Sequence, residues 1–273
     1  MDHHGLAQQR YMLDHRELLG CLGGLGLDSK PVIAHASLSA FRGFQGGAKA
    51  FLQALLGSVG ALVMPTFTYK TMVTPESGPP NNGVIYGGDR DANRMVQPFH
   101  PALPADPLMG LLPEILRCHP FAKRTLHPVL SLAGIGADTA LDAQTLDNPL
   151  APVGKLAEQD GWVLLMGDDH TVNTSIHYGE KLAGRRQFIR WALIPDRIVE
   201  CPGFPSCSRG FEAIRPSLEA ITRRIESGSS VVQAIPLSRL FEIVVETIKK
   251  DPLALLCQQD DCVRCNVIRK EIE

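Results

Sequence analysis

Residues 31–65 constrain the fold of this chain more than any other stretch. The apolar run Pro31-Val32-Ile33-Ala34-His35-Ala36 reads as a buried strand and is followed by a glycine-bearing turn, Ser37 to Gly47. Ala48 to Leu56 then carries helical spacing, and Ala61-Leu62-Val63-Met64-Pro65 reads as a second strand. Strand, helix and strand in that order commit the two strands to parallel pairing through a right-handed crossover, because a tight turn cannot close a parallel pair. Parallel strands need helices over both faces. The expected fold class is therefore α/β.

The alternation continues downstream. A helix is expected around Met109 to Cys118, a strand over Val129 to Gly134, a helix around Gly154 to Glu158 and a buried strand over Trp162 to Gly167. Phe188 to Ile194 and Arg197 to Cys201 read as strands, and helical stretches over Phe211 to Arg224 and Leu237 to Lys250 flank a short strand, Val231 to Ala234. From 66 to about 104 the periodicity lapses into Gly, Pro, Asn and Asp, as in Gly78-Pro79-Pro80-Asn81-Asn82-Gly83. So long a connection is usually a lid or a binding loop, and this one is expected to cover the active site. The 273 residues, 44% apolar, suffice for one large α/β domain or two small ones.

Charge and hydropathy exclude some partners. The net charge of −2 and the absence of a Lys/Arg block argue against nucleic acid, which needs a concentrated basic face. No apolar run approaches the roughly 20 residues that span a bilayer, so no membrane partner is expected. Met1-Asp2-His3-His4 has neither the basic region nor the hydrophobic segment of a signal peptide, which points to the cytoplasm.

The chemistry concentrates after the Trp162 strand. An acidic pair, Asp168-Asp169, leads to Asn173-Thr174-Ser175-Ile176-His177-Tyr178-Gly179-Glu180, a helix with Asn173 as its cap. Residues three and four apart share a helical face, so Asn173, His177 and Glu180 project together. Histidine titrates near neutral pH and can take a proton, while a carboxylate one turn away can hold its tautomer. The alternative is a buried histidine satisfying a carbonyl. His127, held extended by Pro128, is a second candidate, balanced against a turn histidine exposed to water. The Ser37 to Gly47 turn offers hydroxyls and amides to an anion, or is simply a tight strand-to-helix turn.

Seven cysteines remain. Cys21 and Cys118 lie in apolar, helix-like segments and are expected to pack as small hydrophobes. Cys257, Cys262 and Cys265 form a CxxC with a further cysteine five residues earlier, and Cys201 and Cys207 form a second pair. Cys207, Cys257, Cys262 and Cys265 are a candidate structural zinc site, with free thiols as the alternative. A catalytic zinc is not expected, since there is no HExxH and no second histidine one turn from His177.

Several of these segments, in this order, resemble the aminoglycoside 3-N-acetyltransferase family: Val32 to Ser39, Gly46-Gly47, Leu62 to Thr68, Phe99 to Pro104 with Met109-Gly110, and Leu126-His127-Pro128 with Ser131. Asn173 to His177 with Glu180 carries the resemblance furthest, and Asp251 to Cys257 resembles a subgroup with cysteines near its C-terminus. The resemblance implies a single acetyltransferase domain over residues 1–273, an α/β/α sandwich with a mostly parallel central sheet. Within it lie an active-site loop at about 66–104 and a cysteine-containing segment at 251–273.

It further implies acetyl-CoA as co-substrate, an amine as second substrate with aminoglycosides leading, and a homodimer as one compatible state. Carried over residue by residue, His177 is the general base, with Glu180 beside it. His35, Ala36, Ser37, Leu38 and Ser39 form the turn that receives CoA, with Ala36 in place of a serine of the family's motif. Thr66 and Phe67 lie beside the thioester, and Thr125 stands where the family often has serine. Asp168, Asp169 and Asn173 are then expected on the amine side, where with Glu180 the two aspartates would attract a polycation. The competing readings are an acyltransferase acting on another amine, a hydrolase, which the lack of a GxSxG elbow disfavours, and a zinc-stabilised relative without activity.

Overall fold

Seven strands form the central sheet in the computed structural model, which describes residues 14–41, 43–87, 93–227 and 230–272. The reading of Met1 to His4 lies outside them. The strand order is β4 (Lys123–Arg124), β5 (Leu132–Ile135), β2 (Ala61–Pro65), β1 (Pro31–Ala36), β6 (Trp162–Met166), β10 (Ser230–Pro236) and β9 (Arg223–Ser227). β1 pairs in parallel with both β2 and β6, as the crossover requires. Only β5 and β10 run against the others.

The central strands are buried on both faces, and their side chains divide by the period of two that a strand imposes. Val32, Ala34, Leu62, Met64, Leu164 and Met166 pack on one face with α1 (His15–Gly24), α2 (Gly47–Leu56) and α3 (Leu111–Arg117). Ile33, Val63, Val163 and Leu165 pack on the other with α4 (Asp138–Leu141), α5 (Ala151–Glu158), α6 (Thr174–Leu182) and α8 (Leu237–Lys250). Two helical layers over one sheet make the α/β/α sandwich. Each fully buried aliphatic side chain contributes about 1.5–3 kcal/mol, so alternation along the three central strands supplies much of the driving force.

Glycine sets the seating of α6 on α8. A Cβ on Gly179 would lie 2.7 Å from Cγ1 and 2.8 Å from Cβ of Val244, a β-branched residue that cannot swing aside. Gly179→Val is expected to destabilise the protein by about 1–3 kcal/mol through overpacking. An unshifted urea midpoint would show that the helices have room.

Three parts of the sequence reading change. The 66–104 connection is partly ordered: Met72–Val73 forms β3, which joins β7 (Phe188–Ile194) and β8 (Arg197–Phe204) in a second sheet. Asn82 pins the connection by accepting from Ile189 N–H at 2.7 Å and donating to its carbonyl at 3.0 Å, so polar side chains replace apolar periodicity there. The helix expected over Phe211 to Arg224 is a 3₁₀ turn, the short α7 (Arg215–Leu218) and another 3₁₀ turn, with Arg223 already in β9. β9 is an edge strand, and Arg223 lies over the Trp162 ring while donating to the carbonyl of Leu25; these contacts outweigh local helix preference. Cys118, unlike the buried Cys21, is exposed, because it caps the outer end of α3.

Candidate active site

The loops leaving β1 and β6 diverge, one toward α2 on one face and the other toward α6 on the opposite face. In an α/β sheet that divergence opens a crevice beyond the carboxyl ends of the strands. A cavity of about 400 Å³ lies there. Its walls include His35 and Ala36 at the end of β1 with Ser37 after it, Phe67 and Tyr69 after β2, and Asp168, Thr171, Thr174 and His177 after β6. Leu108, Met109 and Gly110 close one side, and Phe204 at the end of β8 with Pro205 and Ser206 after it close another. Gly167, at φ +72°, lets β6 turn past the segment after β1, where a Cβ would meet that of Ala40 at 2.5 Å.

His177 is held on α6 by local geometry. The Asn173 side chain accepts from Ser175 N–H at 3.1 Å, which fixes the helix start. Three residues on from His177, Glu180 Oε2 lies 2.8 Å from its Nδ1. The carboxylate is fully buried and further held by Arg185 Nη1 on Oε1 at 2.8 Å and by Ser206 Oγ on Oε2 at 2.6 Å. Burial pushes its pKa up, but the hydrogen bond and charge of His177, the charge of Arg185 and the Ser206 hydroxyl outweigh burial and bring it below the ordinary glutamate value. An ionised Glu180 accepts, so Nδ1 carries the hydrogen and Nε2 is left as the basic nitrogen. Nε2 has no hydrogen-bond partner among the described residues, and the His177 ring, set edge-on to Phe211 at 4.6 Å, lines the cavity. This places an oriented proton acceptor at the cavity wall.

The other expected residues divide. His35, Ala36, Ser37, Phe67, Asp168 and His177 line the cavity, whereas Leu38, Ser39, Thr66, Thr125, Asp169 and Asn173 do not. Thr66 is buried against Ser131, and the Thr125 hydroxyl closes a backbone turn with Leu132, accepting from its N–H at 2.8 Å. Asp169 accepts from Thr171 N–H at 2.8 Å, which occupies its carboxylate. Glu180 adds nothing to an acidic surface, since it is enclosed and neutralised by Arg185. Burial and the neighbouring charge of Asp169 push the Asp168 pKa up to about 6. His127 is buried and uses Nδ1 to accept the amides of Val129 and Leu130, which is why ladder pairing of β5 starts only at Leu132; it is a turn histidine, shut in and not exposed. Burial likewise holds His35 down at about 4, so it is neutral near pH 7.

Three contributors lay outside the sequence reading. Ser206 and Arg185 complete the cage around Glu180, and Arg264, at the start of α9 (Val263–Ile272), reaches the cavity while donating to the carbonyls of Pro205 and Ser206 at 3.1 and 2.8 Å. Only the position of Arg264 inside the cysteine motif marked it. Near it, the sulfurs of Cys207, Cys257, Cys262 and Cys265 all lie within 4.8 Å of one another. Cys201 is not among them; it is a core thiol of β8, raised to about 12 by burial.

Comparison with known proteins bears on the family and the fold. A family model described as aminoglycoside 3-N-acetyltransferase matches residues 33–249. Aminoglycoside N(3)-acetyltransferase IV of Salmonella sp is 31% identical over 176 residues, covering 61% of this chain and 58% of that protein. The chain thus spans less than two thirds of the length of the curated relatives it matches. In three dimensions it is similar to the apoenzyme of aminoglycoside acetyltransferase AAC(3)-IVa, with a TM-score of 0.77 at 25% identity over 95% of this chain and 98% of the other. It also shares its fold with AAC-IIIb, solved as a binary complex with CoASH, at a TM-score of 0.72 and 21% identity, over 88% of this chain and 97% of the other.

Proposed function

Because this chain belongs to the aminoglycoside 3-N-acetyltransferase family, we propose that it transfers the acetyl group of acetyl-CoA to an amine, the 3-amino group of a 2-deoxystreptamine aminoglycoside, with His177 as general base. The observation that carries this reading is the 2.8 Å bond from His177 Nδ1 to an ionised Glu180, which leaves Nε2 basic at the cavity wall. An amine arrives largely as an ammonium ion and cannot attack until it sheds a proton. One proton passes to solvent as the free amine forms, and Nε2 takes a second from the nitrogen as the nitrogen–carbon bond forms at the thioester carbonyl. The carbon–sulfur bond then breaks, the electron pair leaves on sulfur, and His177 returns a proton to the departing thiolate. Glu180 touches no substrate in this scheme; it positions His177 and stabilises the imidazolium that forms.

The residues around the cavity fit both substrates. The Ser37 hydroxyl at the cavity wall, bonded at 3.0 Å to that of Ser39 beyond the cavity lining, and the amides of the turn they bound supply donors for the CoA pyrophosphate, and the cavity volume lies within the range of small-molecule sites. Thr66, between the lining residues Pro65 and Phe67, is held from behind by Ser131. Asp168 faces the cavity as the anion for a polycationic substrate. The whole chain works as one catalytic unit in the cytoplasm, where acetyl-CoA is at hand.

The direct test is release of free CoA from acetyl-CoA in the presence of a panel of aminoglycosides and simpler amines, with the acylated nitrogen located by NMR. Turnover with aminoglycosides at the 3-amino position is the expected result. Turnover confined to simple amines would favour the same chemistry on another substrate, and none with any amine would remove the assignment. Asp168 adds a pH signature. Below about pH 6 it takes up a proton and loses its charge, so KM for the aminoglycoside should rise as pH falls through that value. Asp168→Asn should raise KM about tenfold at pH 7.5, the scale of one charged hydrogen bond, and abolish that rise. An unchanged KM would take Asp168 out of substrate binding.

A further inference from the structure

Among the described residues the four clustered thiols are the one group of three or more metal-ligand side chains close enough to share an ion, and the sequences around them hold parts of the active site. Cys207, Cys257, Cys262 and Cys265 come from three separate segments: the turn after β8, the stretch after α8, and the start of α9. All four are free, three are buried and Cys262 is half-buried. In a tetrahedral zinc tetrathiolate with Zn–S near 2.3 Å, neighbouring sulfurs lie roughly 3.8 Å apart, so a cluster within 4.8 Å needs only sub-ångström adjustment to close on the ion. The backbone amides of Arg209 and Gln259, each two residues beyond a cysteine, face the sulfurs of Cys207 and Cys257, as donors that support bound thiolates do.

We propose that these cysteines bind one zinc ion, and that the ion positions the catalytic dyad from behind. Ser206, whose hydroxyl holds Glu180 at 2.6 Å, is bonded directly to Cys207. Arg264, inside the Cys262–Cys265 pair, clamps the carbonyls of Pro205 and Ser206 and lines the cavity. One ion therefore locks both sides of the segment that fixes Glu180, and through it the Nδ1–H tautomer of His177. Binding converts thiols to thiolates and releases their protons to solvent. The zinc is structural: its fourth position is taken by sulfur, and it meets no substrate.

The metal itself is tested on the intact wild-type protein purified without chelator, independently of any activity. Elemental analysis should find about one zinc per chain, and cobalt exchanged into the site should give the absorption of a tetrahedral thiolate complex. No bound metal, with all four thiols freely reactive, would overturn the site, and iron in place of zinc would overturn the choice of ion. The positioning role rests on the reading of His177 as base and has its own test. Cys262→Ser, at the most accessible ligand, and reversible zinc removal from the wild type should both lower kcat at least about tenfold, leave KM for acetyl-CoA nearly unchanged, shift the acidic limb of the kcat–pH profile, and in the wild type recover on zinc addition. A zinc-depleted protein with full kcat and an unshifted profile would refute the positioning role while leaving the site intact. A zinc-bound protein inactive toward every amine would refute the acetyltransferase reading instead.

Discussion

Replacing His177 by alanine is expected to lower kcat for acetyl transfer by about 10²–10⁴-fold, the range set by loss of a positioned general base. Affinity for acetyl-CoA should stay within about twofold, because the donors assigned to CoA lie on the turn after β1 and not on α6. The chain should also remain folded, since His177 reaches the cavity and contributes only its edge contact with Phe211 and its bond to Glu180 to the core. Steady-state turnover with acetyl-CoA titration by calorimetry separates the two quantities. A variant with wild-type kcat would end the general-base mechanism, and one that lost CoA binding in proportion would make His177 a binding residue.

Glu180→Gln should act on both stability and turnover. Arg185 is buried beside it and keeps only the carbonyls of Pro252 and Ala254 once the carboxylate charge is gone. Breaking a buried ion pair from one side costs about 3–5 kcal/mol, which in a chain of this size is a fall in Tm on the order of 10 °C. The pH dependence follows from the sign of the shift. The pKa of Glu180 is lower folded than unfolded, so its contribution is complete above the unfolded value of about 4.3 and fades as pH falls through the folded value. The stability gap between wild type and variant should therefore be widest near neutrality and close in acid. Urea unfolding at several pH values measures it, and a gap that stays constant down to pH 3 would show that the charge is not what stabilises the site. Turnover should fall as well, because a glutamine can donate to Nδ1 and so permit the wrong tautomer.

The cavity lies at the carboxyl ends of β1, β2 and β6, whose parallel direction follows from the short-range pattern that makes the crossover. Relative placement was most legible in the sequence where contacts are local. Asn173, His177 and Glu180 sit on one helix, and their spacing alone sets their mutual distances. Position in a motif fixes less: His35, Ala36, Ser37 and Phe67 line the cavity, whereas Thr66 and Thr125 spend their hydroxyls on bonds to Ser131 and Leu132, which only the pairing of distant segments reveals. The helix expected over Phe211 to Arg224 was lost for a related reason, since β9 gains its partner from β10 and its anchor from Trp162 on β6.

From the amino-acid order alone came the α/β class, the central parallel strands, the His177–Glu180 dyad and the identity of the four cysteines, all properties read within windows of a few turns or strands. The tertiary structure decided what surrounds them: Ser206 and Arg185 on Glu180, Arg264 in the cavity wall, and the approach of Cys207 to the C-terminal thiols. Those contacts depend on how α6, the end of β8 and α9 pack together, and packing among distant segments leaves no periodicity in the chain from which to read it.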